Sequence, residues 1–249
     1  MAVRGPTDPE HAVVFVHGFG GSLNTWAEFP QLVGADDVLK KADIWFYRYS
    51  SVRETVADSG ASFRRFLERL FPDPSRLLQD LWPGGADFRH NPYKKLTLVG
   101  HSEGGVVIRL ALRELERSTL HDPPKCDLVL FAPAIGGVNI PGWRGFAEGV
   151  LGWLFHWSGA YSDLTGDSPL LANLRAETQR LAAEESPADP QSPWRSLNIW
   201  AERDGVVIRD NYSCDLYKDY PGTDHVTVCK PTKLRPLPLE IVKGTVHAD

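Results

Sequence analysis

The chain has 249 residues, of which 42% are hydrophobic and 24% are charged, and its formal net charge at pH 7 is −5. This composition is typical of a folded globular protein and argues against disorder, while the negative charge gives no basis for binding nucleic acid or an anionic membrane surface. No stretch approaches 18 uninterrupted apolar residues, so we expect no transmembrane segment.

Two features bear on the cellular environment. The polar segment at residues 1–11 lacks the apolar core of a signal peptide. The three cysteines, Cys126, Cys214 and Cys229, are too few and too irregularly spaced for a disulfide framework, and no zinc-binding spacing is present. We therefore expect a cytoplasmic protein that uses no metal and no other cofactor. The sequence carries no signal for its oligomeric state.

Short apolar runs alternate with amphipathic helical patterns along the chain. The runs predict strands at residues 12–17, 43–49, 96–100, 127–131 and 197–201. Apolar stripes predict helices at residues 52–71, 103–117 and 168–184. Strands that are apolar on both faces and are separated by helices are typical of parallel sheets. We expect one α/β domain over residues 1–249, with a near-minimal sheet because about ten residues precede the first strong strand.

A candidate nucleophile lies in the sequence Gly-His-Ser-Glu-Gly at residues 100–104. The motif alone is weak, but here it joins a predicted strand to a predicted helix, which is the context of a nucleophile elbow. Ser102 would then sit on a sharp turn, with the helix N-terminus favouring negative charge beside it. The alternative is an ordinary strand-to-helix turn with a capping serine.

A second glycine-rich loop follows the first predicted strand, at residues 17–22. Acyl transfer requires two backbone N–H groups aimed at the developing oxyanion. Glu103, directly after the candidate nucleophile, and Phe19, in the glycine loop, are the candidate donors. The loop contains no lysine, which argues against a phosphate-binding P-loop. We expect His17 to brace this loop and not to act as a base.

The acid and base of a serine triad come later in the chain on this type of fold. Asp204 follows the last predicted strand on a turn, and Glu202 and Asp210 are its rivals. His225 is the one histidine that follows this strand outside the terminal tail, and we expect it to be the base, held in the correct tautomer by the acid.

Four segments together resemble the α/β-hydrolase superfamily, and more narrowly the serine esterase/lipase group that includes the GPI inositol-deacylase-like proteins. They are residues 13–22, 96–105, 201–207 and 224–231. The resemblance spans about residues 12–235. It implies a single α/β-hydrolase domain, the triad Ser102, Asp204 and His225, oxyanion donors at Phe19 and Glu103, and ester or thioester substrates. We expect the N-terminal strands of the family to be absent here, and residues 137–165 match no motif.

We therefore expect a serine hydrolase that cleaves small-molecule or lipid carboxylic esters through an acyl-enzyme intermediate. A thioesterase or an acyltransferase would use the same triad, so both stay open. A non-catalytic binding or interaction module on a hydrolase fold is the alternative of another class, although no triad residue is lost. An epoxide hydrolase or haloalkane dehalogenase would need a carboxylate in place of Ser102.

The segment at residues 137–165 is a candidate cap or lid insertion. It carries Trp143, Trp153 and Trp157, and its apolar residues from 146 onward follow a helical spacing. Two interpretations stay open: the stripe packs on the sheet as core, or it lines an acyl pocket above Ser102. Val206, beside the candidate acid, is a further candidate substrate contact.

Overall fold

The computed structural model describes residues 2–3, 9–81, 91–116, 125–139, 159–184 and 194–247. Within these ranges, seven strands form one sheet: β1 Ala2–Val3, β2 His11–Val16, β3 Asp43–Tyr47, β4 Lys95–His101, β5 Lys125–Phe131, β6 Ser196–Arg203 and β7 Leu216–Asp224. Their order in the sheet is β1-β3-β2-β4-β5-β6-β7. The strands from β2 to β7 pair in parallel, and β1 pairs with β3 in antiparallel orientation. The predicted α/β class with a mostly parallel sheet is confirmed.

The central strands form because their side chains are apolar on both faces of the pleat. Residues Ala12 to Val16 are completely buried although successive side chains point to opposite faces, so both faces of β2 are covered. The five predicted strands match β2 to β6 to within a few residues at each end.

The helices lie between these strands and after the last one. Thr55 caps the helix Val56–Leu70 (α2) by accepting a hydrogen bond from the Asp58 N–H, so this helix begins at Val56 and not at the predicted residue 52. Within the described ranges the α-helices are α1 Phe29–Ala35, α2 Val56–Leu70, α3 Ser75–Leu81, α4 Glu103–Glu116, α5 Ala160–Asp163, α6 Pro169–Glu184 and α7 Leu237–His247. None of them is long and apolar enough to span a membrane.

Two strands were not predicted. The two-residue β1 is too short to show a pattern, and it supplies one antiparallel neighbour where none was expected. Most of β7 is exposed, so it lacks the apolar signature of the other parallel strands. Residues 220–223, Tyr-Pro-Gly-Thr, have the composition of a turn but lie in β7, where Pro221 is tolerated on a sheet edge and Gly222 has φ +69°.

A buried ion pair fixes α4 against the sheet. Arg109 Nη2 lies 2.5 Å from Asp215 Oδ1, and both side chains are at most 1% exposed. Asp215 also accepts hydrogen bonds from the side chains of Ser196 and Asn198 at the start of β6. This network ties the helix that begins at the candidate nucleophile to the strand that leads to the candidate acid.

We expect Asp215→Ala to lower the free energy of unfolding by about 3–5 kcal/mol, because Arg109 would stay buried without its counter-charge. Asp219→Ala is the matched control, since its ion pair with Arg209 is about half exposed and such pairs contribute at most about 1 kcal/mol. Urea denaturation of both variants measures the difference. Equal losses would show that the buried pair is not a special support of α4.

Candidate active site

Ser102 lies on a strained turn between β4 and α4. Its φ is +54°, a left-handed value that a non-glycine residue adopts only when its surroundings enforce it. The Ser102 N–H donates to Phe131 O at 3.0 Å, and the Ser102 carbonyl accepts from Gly105 and Ala134. A Cβ at Gly104 would lie 2.2 Å from Val16 O, so the turn can approach β2 only with glycine there.

The structure brings the three predicted triad side chains together. His225 Nε2 lies 3.1 Å from Ser102 Oγ, and His225 Nδ1 lies 2.9 Å from Asp204 Oδ2. The side chains of His225 and Asp204 are 6% and 8% exposed. A carboxylate on Nδ1 holds the proton there, which leaves Nε2 free to accept the proton of the Ser102 hydroxyl.

Asp204 is held by its own turn as well as by His225. Its Oδ1 accepts hydrogen bonds from the N–H groups of Val206 and Val207 at 2.9 and 3.2 Å. Burial alone would raise the pKa of Asp204, but the hydrogen bond to His225 and those to the backbone outweigh it and lower the pKa. The carboxyl group is therefore kept ionised.

The two rival acids lie elsewhere. Glu202 is exposed and its carboxylate accepts from the Gly222 N–H on β7 at 2.6 Å. Asp210 forms an ion pair with Arg175. Neither residue contacts His225 in the described hydrogen bonds, so the geometry favours Asp204 over both.

The glycine loop after β2 packs directly against Ser102, the candidate nucleophile. A Cβ at Gly18 would lie 2.8 Å from Ser102 Cβ, so this close approach requires glycine. Phe19 follows at once, and Glu103 opens α4, where a first-turn N–H has no acceptor within its own helix. Of the two candidate oxyanion donors, Glu103 directly follows Ser102 in the chain, and Phe19 directly follows Gly18, which packs against Ser102.

His17 braces this loop from behind. Its Nδ1–H donates to Gly18 O at 2.9 Å, its Nε2 accepts from the Tyr49 N–H at 3.4 Å, and its ring stacks on that of Tyr49 with centroids 4.5 Å apart. Burial lowers the pKa of His17, so the neutral ring that these contacts require is favoured. This placement agrees with the bracing role expected from the sequence.

Glu103 places an acid group beside the same network. Its side chain is fully buried, Oε1 lies 3.3 Å from the Tyr49 hydroxyl, and Oε2 has no partner in the described residues. Burial is the main cause that raises the pKa of Glu103 to about 8, and the nearby charges of Asp163 and Glu54 raise it further. The hydrogen bond from Tyr49 lowers this pKa but does not offset the increase. The sequence pattern identified the backbone of Glu103 but not this buried, neutral carboxyl group.

The raised pKa of Glu103 predicts an alkaline loss of activity. Below about pH 8 the carboxyl group is neutral, and above that pH it becomes negative, on the same residue whose N–H is a candidate donor to the oxyanion. We expect kcat/KM to fall as the pH rises through about 8 in the wild type. In Glu103→Gln, which keeps the backbone N–H, this fall is expected to disappear.

Ester hydrolysis measured from pH 6 to 10 tests this expectation, with the melting temperature followed in parallel. Glu114→Gln is the matched control because it removes a partly exposed carboxylate from the far end of the same helix. An alkaline limb that persists in Glu103→Gln would assign it to another group.

His101 was not predicted as a site residue, although it lies in the nucleophile motif. Its Nε2–H donates to the carbonyl oxygen of His225 at 2.8 Å, and its ring packs beside the His225 ring. Burial lowers the pKa of His101 to about 3, so it is a neutral donor that positions the His225 loop. Its position before Ser102 was the only signal, and that signal does not reveal a partner 124 residues away.

The candidate pocket residues are only partly placed. Val206 is buried in the core, and a substrate contact there stays a prediction. Residues 137–139 pair with the turn after Asp204, through Asn139 N–H to Val206 O and Ile208 N–H to Gly137 O. On the other side, Asp163 accepts from the N–H of Val56 at the start of α2. The three predicted tryptophans, Trp143, Trp153 and Trp157, lie outside the described residues.

The part of the chain that the structure describes contains no group of three His, Cys, Asp or Glu side chains placed to bind a metal ion. The described site brings together a hydroxyl group, an imidazole ring and a carboxylate.

Comparison with known proteins gives one family match and many structural matches. The family model described as "Putative serine esterase (DUF676)" matches residues 6–158, which include the glycine loop and the nucleophile motif. No curated protein sequence matches the chain.

The fold is similar to those of several solved structures. The mature lipase BlEst2 of Bacillus licheniformis is 15% identical with a TM-score of 0.59, over 99% of this chain and 97% of that one. A monoacylglycerol lipase of Paleococcus ferrophilus is 13% identical with a TM-score of 0.54, over 99% and 98% of the two chains. Phospholipase PlaB of Legionella pneumophila is 16% identical with a TM-score of 0.64, over 96% of this chain but 59% of that one. These similarities concern the fold.

Proposed function

The chain belongs to the serine esterase family DUF676, and from this premise we propose that it hydrolyses carboxylic esters through an acyl-enzyme intermediate. The family match ends at residue 158, before the acid and the histidine. The observation that carries the proposal is therefore the continuous contact from Ser102 Oγ through the His225 ring to Asp204, at 3.1 and 2.9 Å.

Each group has one role in the proposed reaction. Ser102 Oγ attacks the ester carbonyl carbon while His225 Nε2 takes the hydroxyl proton, and Asp204 stabilises the imidazolium that results. The N–H groups of Phe19 and Glu103 bind the oxyanion of the tetrahedral intermediate. As the intermediate collapses, His225 returns the proton to the leaving alcohol. Water then repeats these steps on the acyl-enzyme and releases the carboxylic acid.

Three features of the site support this assignment. The positive φ of Ser102 raises its hydroxyl out of the strand, which is the strained geometry of a nucleophile elbow. The fixed tautomer of His225 leaves the correct nitrogen facing that hydroxyl. The burial of Asp204 strengthens its interaction with the imidazolium, because the local dielectric constant is low.

The substrate side of the proposal is a small-molecule or lipid ester, with no cofactor. We also propose one α/β-hydrolase domain over residues 1–249, with 137–165 as a cap insertion whose tryptophans line the acyl pocket. The fixed ends of that segment, at the turn after Asp204 and at the start of α2, support the second point. We place the protein in the cytoplasm, in keeping with three free cysteines.

A panel of p-nitrophenyl esters from acetate to palmitate, run beside an acyl thioester, tests the proposed function. We expect p-nitrophenolate release with a chain-length preference, unaffected by chelators. If no ester is cleaved, the proposal is wrong, and faster cleavage of the thioester would replace it with a thioesterase.

A further inference from the structure

A polar cavity of about 420 Å³ lies beside the glycine loop. The residues around it come from two segments, the loop after β2 and the residues that follow β3. They are Gly20, Gly21, Arg48, Tyr49, Ser50, Ser51 and Val52. The set contains one cation and no carboxylate, so the net charge of the lining side chains is positive.

Arg48 supplies that charge. Its side chain is exposed, and within the described ranges it has neither an ion pair nor a hydrogen bond to a carboxylate. Its charge is felt at the glycine loop, where it adds to the effect of burial in lowering the pKa of His17. A guanidinium at the edge of a cavity can bind an anionic oxygen through its N–H groups.

Two serine hydroxyls line the same cavity. Ser51 is 3% exposed, and its Oγ accepts a hydrogen bond from the Gly20 N–H at 2.9 Å, so its own proton is available to an acceptor in the cavity. The Ser50 carbonyl accepts from the N–H groups of Arg53 and Glu54, which fixes the turn that presents both hydroxyls. The cavity thus offers a guanidinium and hydroxyl donors in a defined arrangement.

The cavity lies close to Ser102. Gly18 packs against Ser102, and the N–H of Gly21, which lines the cavity, donates to Gly18 O at 3.0 Å. This hydrogen bond closes a tight turn, and the ends of such a turn are less than about 7 Å apart. A group four to six bonds from an ester carbonyl bound at Ser102 would therefore reach the cavity.

We propose that this cavity, with Arg48 and Ser51 as its principal contacts, binds an anionic group of the ester substrate, a carboxylate or a phosphate. The inference rests on the proposed esterase function and deepens it by assigning the substrate class. The enzyme prefers an ester that carries a negative charge a few bonds from the scissile carbonyl over a neutral ester of equal length.

Two matched substrate pairs test this preference. The first pair is the p-nitrophenyl monoester of adipic acid against p-nitrophenyl hexanoate, which places the anion on the acyl side. The second pair is 1-hexanoyl-glycerol 3-phosphate against 1-hexanoyl-glycerol, which places it on the alcohol side. In at least one pair we expect the anionic ester to have a kcat/KM higher by roughly two- to fivefold, the effect of one partly exposed ion pair. The pair that shows the preference identifies the source of the anion.

Variants at two arginines locate the effect. In Arg48→Gln the ratio of anionic to neutral kcat/KM is expected to fall to about one, and in Arg48→Lys to fall only in part. Arg53→Gln is the matched control. It also removes one positive charge, but Arg53 lies five residues after Arg48 and its side chain does not line the cavity. We expect it to keep the wild-type ratio, and added salt to reduce the ratio in the wild type.

Three results would overturn the inference: a wild-type ratio near one in both pairs, a ratio unchanged by Arg48→Gln, or an equal loss in Arg53→Gln. The inference can also be separated from the proposed function. If the wild type cleaves neither the neutral nor the anionic esters, the esterase function fails. Binding of inorganic phosphate then tests the cavity by itself. If the cavity binds an anion, phosphate raises the melting temperature of the wild type and not that of Arg48→Gln.

Discussion

Replacement of Ser102 by alanine is expected to lower kcat/KM for every ester by about 10⁴–10⁶-fold while leaving the fold intact. The Ser102 hydroxyl is the group that forms the covalent bond to the acyl carbon, and backbone N–H donors alone cannot replace it. The change removes one buried oxygen from a turn whose backbone hydrogen bonds do not involve the side chain. The melting temperature should therefore change little.

A fluorophosphonate probe measures the same loss directly. The wild type should be labelled once per chain, at Ser102, and Ser102→Ala should not be labelled. Labelling that survives in the variant would place the nucleophile elsewhere. A loss of labelling accompanied by a large drop in the melting temperature would point to misfolding, and circular dichroism separates these cases.

Asp204→Asn is expected to lower kcat by about 10⁴-fold, since an amide in this place stabilises the tautomer of His225 in which Nε2 carries the proton. That tautomer cannot accept the proton of Ser102. Glu202→Gln is the matched control, because it changes an exposed carboxylate two residues away that contacts the Gly222 N–H and not His225. We expect Glu202→Gln to cost less than about tenfold.

His225→Ala completes this comparison. It should match Ser102→Ala to within about an order of magnitude, because residues that act as a unit are not additive in their effects. A larger loss in Glu202→Gln than in Asp204→Asn would overturn the assignment of the acid.

Much of the sheet could be predicted because its central strands are buried on both faces. The runs at residues 12–17 and 96–100 are apolar on both faces and too short for a helix, and they match β2 and β4 to within one residue at each end. Ser102 and Asp204 were candidates for a related reason, because each follows the carboxyl end of a predicted strand and parallel strands bring these ends to one edge of the sheet. His225 was a candidate only as the one histidine between the last predicted strand and the terminal tail, since β7, which precedes it, was not predicted.

Other parts of the site depend on contacts between distant segments, for which a single sequence carries no signal. The donation from His101 to the His225 carbonyl spans 124 positions, and the buried state of Glu103 arises from its approach to Tyr49. The cavity at Arg48 likewise exists only because the residues after β3 lie beside the loop after β2. Strand β7 was missed because an edge strand has exposed side chains and can contain proline.

The hydrogen bonds between residues 137–139 and the turn after Asp204 limit which segment of this chain can be exchanged by loop grafting. The bridge of Val138 with Val207 and the bond from Asn139 N–H to Val206 O make residues 137–139 part of the support for the acid. At the other end, a Cβ at Gly159 would crowd Thr55, the cap of α2. A cassette exchanged between residues 140 and 158 would leave both anchors intact. A cut made before residue 137 would remove the segment that is hydrogen-bonded to the turn after Asp204. A change in substrate specificity could then result from a displaced Asp204.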